Sequence, residues 1–435
     1  MRQPTSDPIG LRWNWQRWLW RQGGSLAAFL MGGIALWLPS GYGWGPACLL
    51  LCALLCARGW WGQRLDAATA RLGLLIAVMG VLWGIDTGPQ PGIVSFETTL
   101  KYLAALPCLY FVAAAPLRPG ALWSGLAVGG IGSGALALAQ RYGKHLERAQ
   151  GWTNAVQYGD LSLLLGLMAL SALVVLWPVC TPRRRLALGA GGLLGLLGSL
   201  LSQTRGGWLA LALVVPVLIV ALARRGYAAQ AGKLALALVA AVLLALPLVH
   251  TDLKTRLTLI DTEVHAYDAH RDADTSIGQR LEHWRLAARM GADRPLLGWG
   301  RVYEAEKARR VAAGQADPVV LAFDHAHNEL LDMFARRGLL GVLLLLLYLL
   351  APLALFWPTP ARIRSGPNPD DPPDLTRLAL CLTGIQLPLA YIGFGLTQVF
   401  FAHNSGHLFY LFMLVILRGA LSGARHGSPE QKTPE

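Results

Sequence analysis

Charge is what this sequence has least of: only 14% of its 435 residues are Asp, Glu, Lys or Arg. A water-soluble domain carries roughly a quarter, so a soluble globular protein is excluded. Acid is scarcer than base, 25 residues against 38, which leaves a formal net charge of +13. Cysteine is sparse as well, with six residues and no Cys-x-x-Cys pair. Cys48, Cys52 and Cys56 share one helical face while Cys108, Cys180 and Cys381 are scattered, a pattern of buried thiols rather than of disulfides or a thiolate metal site. No His-Glu-x-x-His zinc signature occurs either. What fills the space is apolar: 54% of residues are hydrophobic, 16 are Trp, and mean hydropathy is +0.43.

Apolar runs long enough to cross about 30 Å of hydrocarbon recur along the chain, which predicts an all-α polytopic membrane protein. Twelve spans are expected, at about 25–38, 43–57, 72–85, 100–115, 121–140, 158–178, 186–202, 207–223, 232–250, 338–357, 375–399 and 403–421. The first follows a basic segment, yet Leu36-Trp37-Leu38-Pro39 offers no small-residue cleavage site, so a span is expected rather than a signal peptide. Charge supports the count. With both termini cytoplasmic, 20 of the 38 basic residues fall on the inner side, among them the Arg183-Arg184-Arg185 triplet, and the short outward loops hold Lys101, Arg141, Lys144, Arg148 and Arg205. That distribution follows the positive-inside rule. The basic excess is therefore topological, its partners are membrane lipids, and no nucleic acid is needed. Trp13, Trp15, Trp18 and Trp20 amid arginines read as an interfacial anchor.

The chain thus divides into residues 1–250 (nine spans), an outward loop over 251–337, three spans over 338–421, and a tail over 422–435. The loop holds 13 basic and 14 acidic residues. Its acidic stretch Asp261 to Asp274 reads as a solvated or mobile segment. Ser276-Ile277-Gly278-Gln279 resembles a capping box opening a helix to about Met290. Pro295-Leu296-Leu297-Gly298-Trp299-Gly300 is a turn, and a second helix is expected from Tyr303 to Ala313. Asp324 is expected to cap a third, placing His327, Leu330, Leu331 and Phe334 on one side. Polar outliers cluster at the same outward side: Asn154 before span six, Gln203-Thr204-Arg205-Gly206-Gly207 between spans seven and eight, and His403-Asn404-Ser405-Gly406-His407 at span twelve. The expected result is a crater facing away from the cytoplasm.

Several blocks carry a resemblance. Arg280-x-x-x-Trp284, Pro295-Leu296-Leu297-Gly298-Trp299-Gly300, His325-x-His327-Asn328-Glu329-Leu330-Leu331 and Gly338-Leu339-Leu340-Gly341 occur in order, after Arg148-x-x-Gly151-x-x-Asn154 and Thr204-Arg205-Gly206-Gly207. Together they resemble the O-antigen ligase and polymerase superfamily over roughly residues 140 to 345. The resemblance implies a GT-C-like glycosyltransferase with a large helical periplasmic loop, in the inner membrane of a Gram-negative bacterium, its site facing the periplasm. It implies a donor, O-antigen on undecaprenyl diphosphate, and an acceptor, the lipid A-core oligosaccharide.

The residue types suit that chemistry. Arginine stays charged and offers a fork of donors to phosphate oxygens; Arg205 and Arg280 match the family's diphosphate-holding positions, against the alternatives of an interfacial snorkelling residue and a solvated helix charge. A neutral imidazole accepts a proton near neutral pH; His327 matches the family's histidine before Asn and is the expected general base, with His325 in support. Arg148, Asn154, Arg301, Asn328 and His403 are supporting candidates. Histidines two apart on one helix diverge, so a metal-independent mechanism without cofactor is expected. Asp272-Ala273-Asp274 only superficially resembles the Asp-x-Asp of nucleotide-sugar transferases. A ligase is expected, with a polymerase or a protein O-oligosaccharyltransferase as the alternative. A lipid-linked glycan transporter would place charge at mid-membrane, where these spans are nearly free of it.

Overall fold

The computed structural model describes residues 14–85, 96–243, 267, 273 and 275–423, except for the side chains of Phe96 and Arg205. The expected acidic stretch at 261–274, and the Asp272-x-Asp274 pattern with it, therefore lies outside the described residues apart from Tyr267 and Ala273. Among the described residues there is no β-strand, only a single bridge between Arg364 and Pro373. Helix is what an apolar chain must choose in hydrocarbon, because it satisfies every backbone N–H and C=O within its own segment.

Fourteen helices carry the argument: α1 (Asn14–Gly33), α2 (Gly41–Leu55), α3 (Ala67–Gly84), α4 (Phe96–Ala114), α5 (Pro119–Leu138), α6 (Ala155–Leu176), α7 (Pro182–Ser202), α8 (Arg205–Ala223), α9 (Ala228–Leu243), α10 (Ser276–Asp293), α11 (Tyr303–Ala312), α12 (Glu329–Phe356), α13 (Leu375–Gly395) and α14 (Asn404–Gly423). Eight are long and apolar enough to cross a membrane: α3, α5, α6, α7, α8, α12, α13 and α14. The other four expected spans correspond in position to α1, α2, α4 and α9. These fall short for visible reasons, since α2 has 15 residues and α4 carries Glu97 and Lys101 near its start.

The first span is corrected. Its helix begins at Asn14, well before Ser25. The tryptophan anchor and the span are one continuous helix: Trp15 and Trp18 stay exposed, whereas Trp20 is buried edge-on against Phe111.

Small residues let the helices approach closely, as membrane packing favours. A Cβ at Gly130 of α5 would stand 2.0 Å from the Gly191 carbonyl oxygen of α7. α13 and α14 are buried along nearly their whole length. One end of the bundle is tied by Arg418 of α14, whose Nη2 donates to both oxygens of Asp66 at 2.6 Å while its Nε donates to Thr69. Burial opposes ionisation of Asp66, but Thr69 and Arg418 outweigh it and hold the carboxyl below its ordinary range. The functional candidates gather at the opposite end.

Candidate active site

The site begins with a kink. α12 runs helically from Glu329 to Arg337, breaks at Gly338 (φ 61°) and continues into its apolar length. Two motif blocks make this break together. Leu339 N donates to Pro295 O at 2.7 Å, and Trp299 N donates to Ala335 O at 2.9 Å. A Cβ at Gly338 would meet the Leu296 carbonyl carbon at 2.3 Å, so only glycine fits. The turn over 295–300 is as expected, with Gly298 and Gly300 both at positive φ. It acts as a wedge that sets the angle of the short amphipathic turns of α12 against the bundle.

Those turns position the histidines, though not as expected. Asp324 does not cap α12. Asn328 does, accepting from Leu330 N and Leu331 N at 3.1 Å. His327 therefore precedes the helix instead of sharing a face with Leu330, and its backbone is left-handed (φ 52°). Likewise Thr275, not Ser276, caps α10, because its hydroxyl reaches Gly278 N. The left-handed residue also overturns the expectation that the histidines diverge. Their rings stand 4.4 Å apart, nearly perpendicular, and His403 approaches His325 at 5.5 Å.

Strain at a non-glycine left-handed residue persists only where its surroundings over-determine it. Here they do. Asp332 Oδ1 accepts from Ala326 N at 3.0 Å, and Asp332 Oδ2 pairs with Arg336. Arg336 also pairs with Glu304 at 2.8 Å and donates to Asp324 O. Glu329 accepts from Phe401 N, and Asn328 Nδ2 donates to Leu396 O, so the loop is clamped between α11 and the connection from α13 to α14.

The tautomer of His327 follows from one residue the sequence did not single out, Gln398. Its Oε1 accepts from Val399 N at 3.1 Å, which fixes the oxygen's side of the amide. His327 Nδ1 lies 3.2 Å from the same oxygen and must therefore be the protonated nitrogen. Nε2 is left with its lone pair. Burial is the main cause holding His327 far below the ordinary imidazole range, at about 3, with His325, Arg280 and His283 adding to it against Gln398. His325 is pushed down by burial to about 4, and burial lowers His403 and His283 as well. All four rings are neutral at pH 7.

His325 rather than His327 faces open space. A cavity of about 650 Å³ lies between the starts of α4 and α14 and the first turns of α12. Trp83, Phe323 and Phe401 provide aromatic walls; Lys101, Arg301, Arg337, Asp324, His403 and Asn404 provide polar ones. Lys101 is tied to Glu97 and Asn404, and Arg337 stacks on Trp83 at 4.1 Å. Among the described residues, His403 Nε2 is buried without a hydrogen-bond partner. Aromatic faces among fixed donors and acceptors make a surface suited to a sugar. His407, by contrast, is buried against Tyr102 and is not part of this cavity's lining.

Of the expected arginines, Arg280 is half-buried on α10, its charge acts on His327, and it is not part of the cavity lining. Arg205 opens α8 at the same end of the bundle; its side chain lies outside the described residues. Arg148 serves structure, its Nε donating to Ser202 O at 2.9 Å. Asn154 caps α6 by accepting from Gln157 N, and Arg301 is an exposed rim residue. Among the described residues no group of three or more His, Cys, Asp or Glu side chains is placed to hold a metal ion.

Residues 190–346 match the family model described as O-antigen ligase. Over that segment the chain is similar to the O-antigen ligase superfamily. The segment contains Arg205, Arg280, the wedge, the kink and both loop histidines. It stops short of Gln398 and His403, which this fold adds from the far side of α13. An uncharacterized protein of Haemophilus influenzae (strain ATCC 51907 / DSM 11121 / KW20 / Rd) is similar at 23% identity over 326 residues, covering 74% of this chain and 78% of the relative. Members of the superfamily are glycosyltransferase-like enzymes.

Proposed function

We propose that this protein is an O-antigen ligase, transferring O-antigen polysaccharide from undecaprenyl diphosphate to a sugar hydroxyl of lipid A-core oligosaccharide at the periplasmic face of the inner membrane. The observation that carries this reading is the pair of close-packed histidine rings at a cavity of about 650 Å³, with His325 in its lining and the Arg280 charge acting on His327.

In the reaction the acceptor oxygen attacks C1 of the donor sugar. The C1–O bond to the diphosphate breaks, and the diphosphate leaves with the electron pair. Arg280, with Arg205 at the α8 N-terminus, balances the charge developing there. The acceptor proton passes to an imidazole of the pair. His327 offers its Nε2 lone pair, with Nδ1–H held by Gln398, and His325 presents the acceptor from the cavity. A bound diphosphate opposes the positive neighbours that depress His327, so basicity rises once the donor is in place. A single displacement inverts the anomeric configuration, and no step needs a metal.

The test is reconstitution of the purified protein with undecaprenyl-diphosphate glycan and lipid A-core, with the product read as a gel shift of the core band. Glycan on the core supports the ligase. Elongation of the carrier-linked glycan instead marks a polymerase, and movement across the bilayer without a new bond marks a transporter.

A further inference from the structure

Large apolar side chains scattered singly over a surface need no explanation. Between Ser276 and Asn328 four are exposed. Phe323 lines the cavity, and Leu321 lies two residues before it. Leu296 and Leu297 differ: they are adjacent, 69% and 50% exposed, and follow an exposed Pro295. These three form the tip of the wedge, in the connection between α10 and α11. Behind the tip the connection is charged and aromatic. Arg310 pairs with Asp293 at 2.6 Å, and the guanidinium carbons of Arg294 and Arg310 lie 4.2 and 5.3 Å from the centre of the Trp299 ring. An apolar tip on a rim of Arg and Trp is how a segment enters a membrane interface.

The backbone says how deep. Pro295 O accepts from Leu339 N at 2.7 Å, and Leu296 O accepts from Leu340 N at 3.3 Å. Both donors lie just past Gly338, where α12 leaves Arg336 and Arg337 and runs on without a charged residue. At 1.5 Å per residue they stand about 1.5–3 Å beyond the kink along the helix axis. Leu339, Leu340, Leu343, Leu347 and Leu350 are all exposed and fall within one face of a helix long and apolar enough to cross a membrane. The tip is bonded to the first residues of that stripe and extends it sideways.

We propose that Pro295-Leu296-Leu297 is inserted among lipid acyl chains, in the leaflet at this end of the bundle, and anchors the connection between α10 and α11 in the membrane. The inference goes beyond the transfer reaction and stands whichever glycan is moved. Its consequence is positional. The wedge bonds Ala335 before the kink and Leu339 and Leu340 after it, so its depth fixes the level of the histidine loop relative to the bilayer surface.

The experiment places nitroxide labels through Leu296→Cys, Leu297→Cys, Leu343→Cys in the α12 stripe, and Ala313→Cys at the exposed end of α11. Each full-length variant sits at one copy per phosphatidylethanolamine–phosphatidylglycerol nanodisc, so no second copy can cover the tip. Power saturation compares collisions with oxygen, which concentrates in hydrocarbon, and with a water-soluble nickel chelate. Five native thiols are buried and Cys48 is half-buried; the signal of the labelled, unsubstituted protein is subtracted. The balance at 296 and 297 is expected to shift toward oxygen, as at 343, and away from the nickel-dominated balance at 313. Adding Leu297→Asp to the 296 label is expected to shift it back toward nickel, because a carboxylate is costly in hydrocarbon. Tip labels as open to nickel as the label at 313, in variants that keep the wild-type unfolding temperature, overturn the proposal. Labels sheltered from both collision partners overturn it as well, since they mark cover by another part of the chain.

Discussion

Replacing Gln398 tests the histidine assignment at its narrowest point. Its amide oxygen fixes Nδ1–H of His327 and so leaves Nε2 as the basic nitrogen. Gln398→Leu removes that acceptor. The hydrogen bond is worth about 0.5–1.5 kcal/mol, so loss of ring orientation alone lowers the transfer rate about two- to thirteenfold. Buried Val399 N–H loses its acceptor too, and the unfolding temperature drops with it. Gln398→Glu separates the two effects. A carboxylate at this place still accepts from Nδ1, and its charge favours the imidazolium.

The pH dependence carries the sign. His327 at about 3 and His325 at about 4 are depressed below the ordinary 6.5, chiefly by burial. In the free protein both rings therefore stay neutral as pH falls through 6.5. An unperturbed imidazole would be about nine-tenths protonated at pH 5.5, a roughly tenfold loss of the base form. Wild-type kcat/KM, which reports the free enzyme, is accordingly expected to hold level from pH 7.5 to 5.5, and Gln398→Glu to move the acid limb upward into that window. The same shifts make the neutral-ring contribution to stability full above pH 6.5 and lost as pH falls toward 4 and 3. The assay is initial transfer rate in nanodiscs across that range, with unfolding temperature followed in parallel. A wild-type profile with its midpoint near 6.5, or identical profiles for wild type and Gln398→Glu, would refute the reasoning.

Further outcomes follow from the same geometry. His327→Ala is expected to cut kcat by about 10²- to 10⁴-fold with folding intact, whereas His325→Ala raises the acceptor KM; gel-shift kinetics at varied acceptor concentration distinguish them. Arg280→Ala raises the donor KM and leaves the acceptor KM unchanged, read by varying the carrier-linked glycan. Gly338→Ala places a Cβ 2.3 Å from the Leu296 carbonyl carbon at positive φ, and is expected to cost at least about 1–3 kcal/mol in detergent unfolding.

Much of the site was legible because its parts are local. Glycines at positive φ announce the wedge and the kink, and paired motif blocks mark segments that bond to each other. Periodicity gave α11 almost to the residue. The rest depends on through-space contact. Asp324, Ser276 and the true caps Asn328 and Thr275 are all competent cap residues one to four positions apart, and only tertiary context chooses between them. A left-handed His327 has no local signature, so the approach of the two rings was hidden. Gln398 lies 71 residues from His327 in an ordinary Gly-Leu-Thr-Gln turn; nothing near it in sequence points to an imidazole.

The most direct measurement is the coupling between carrier release and acceptor modification. Purified protein is supplied with undecaprenyl-diphosphate glycan, with and without lipid A-core, and free undecaprenyl diphosphate and glycosylated core are quantified together. The account predicts one carrier released per glycan joined to the core, no release without the core, and loss of both in His327→Ala. Carrier release that proceeds equally without the core, or core glycosylation undiminished in His327→Ala, would contradict it.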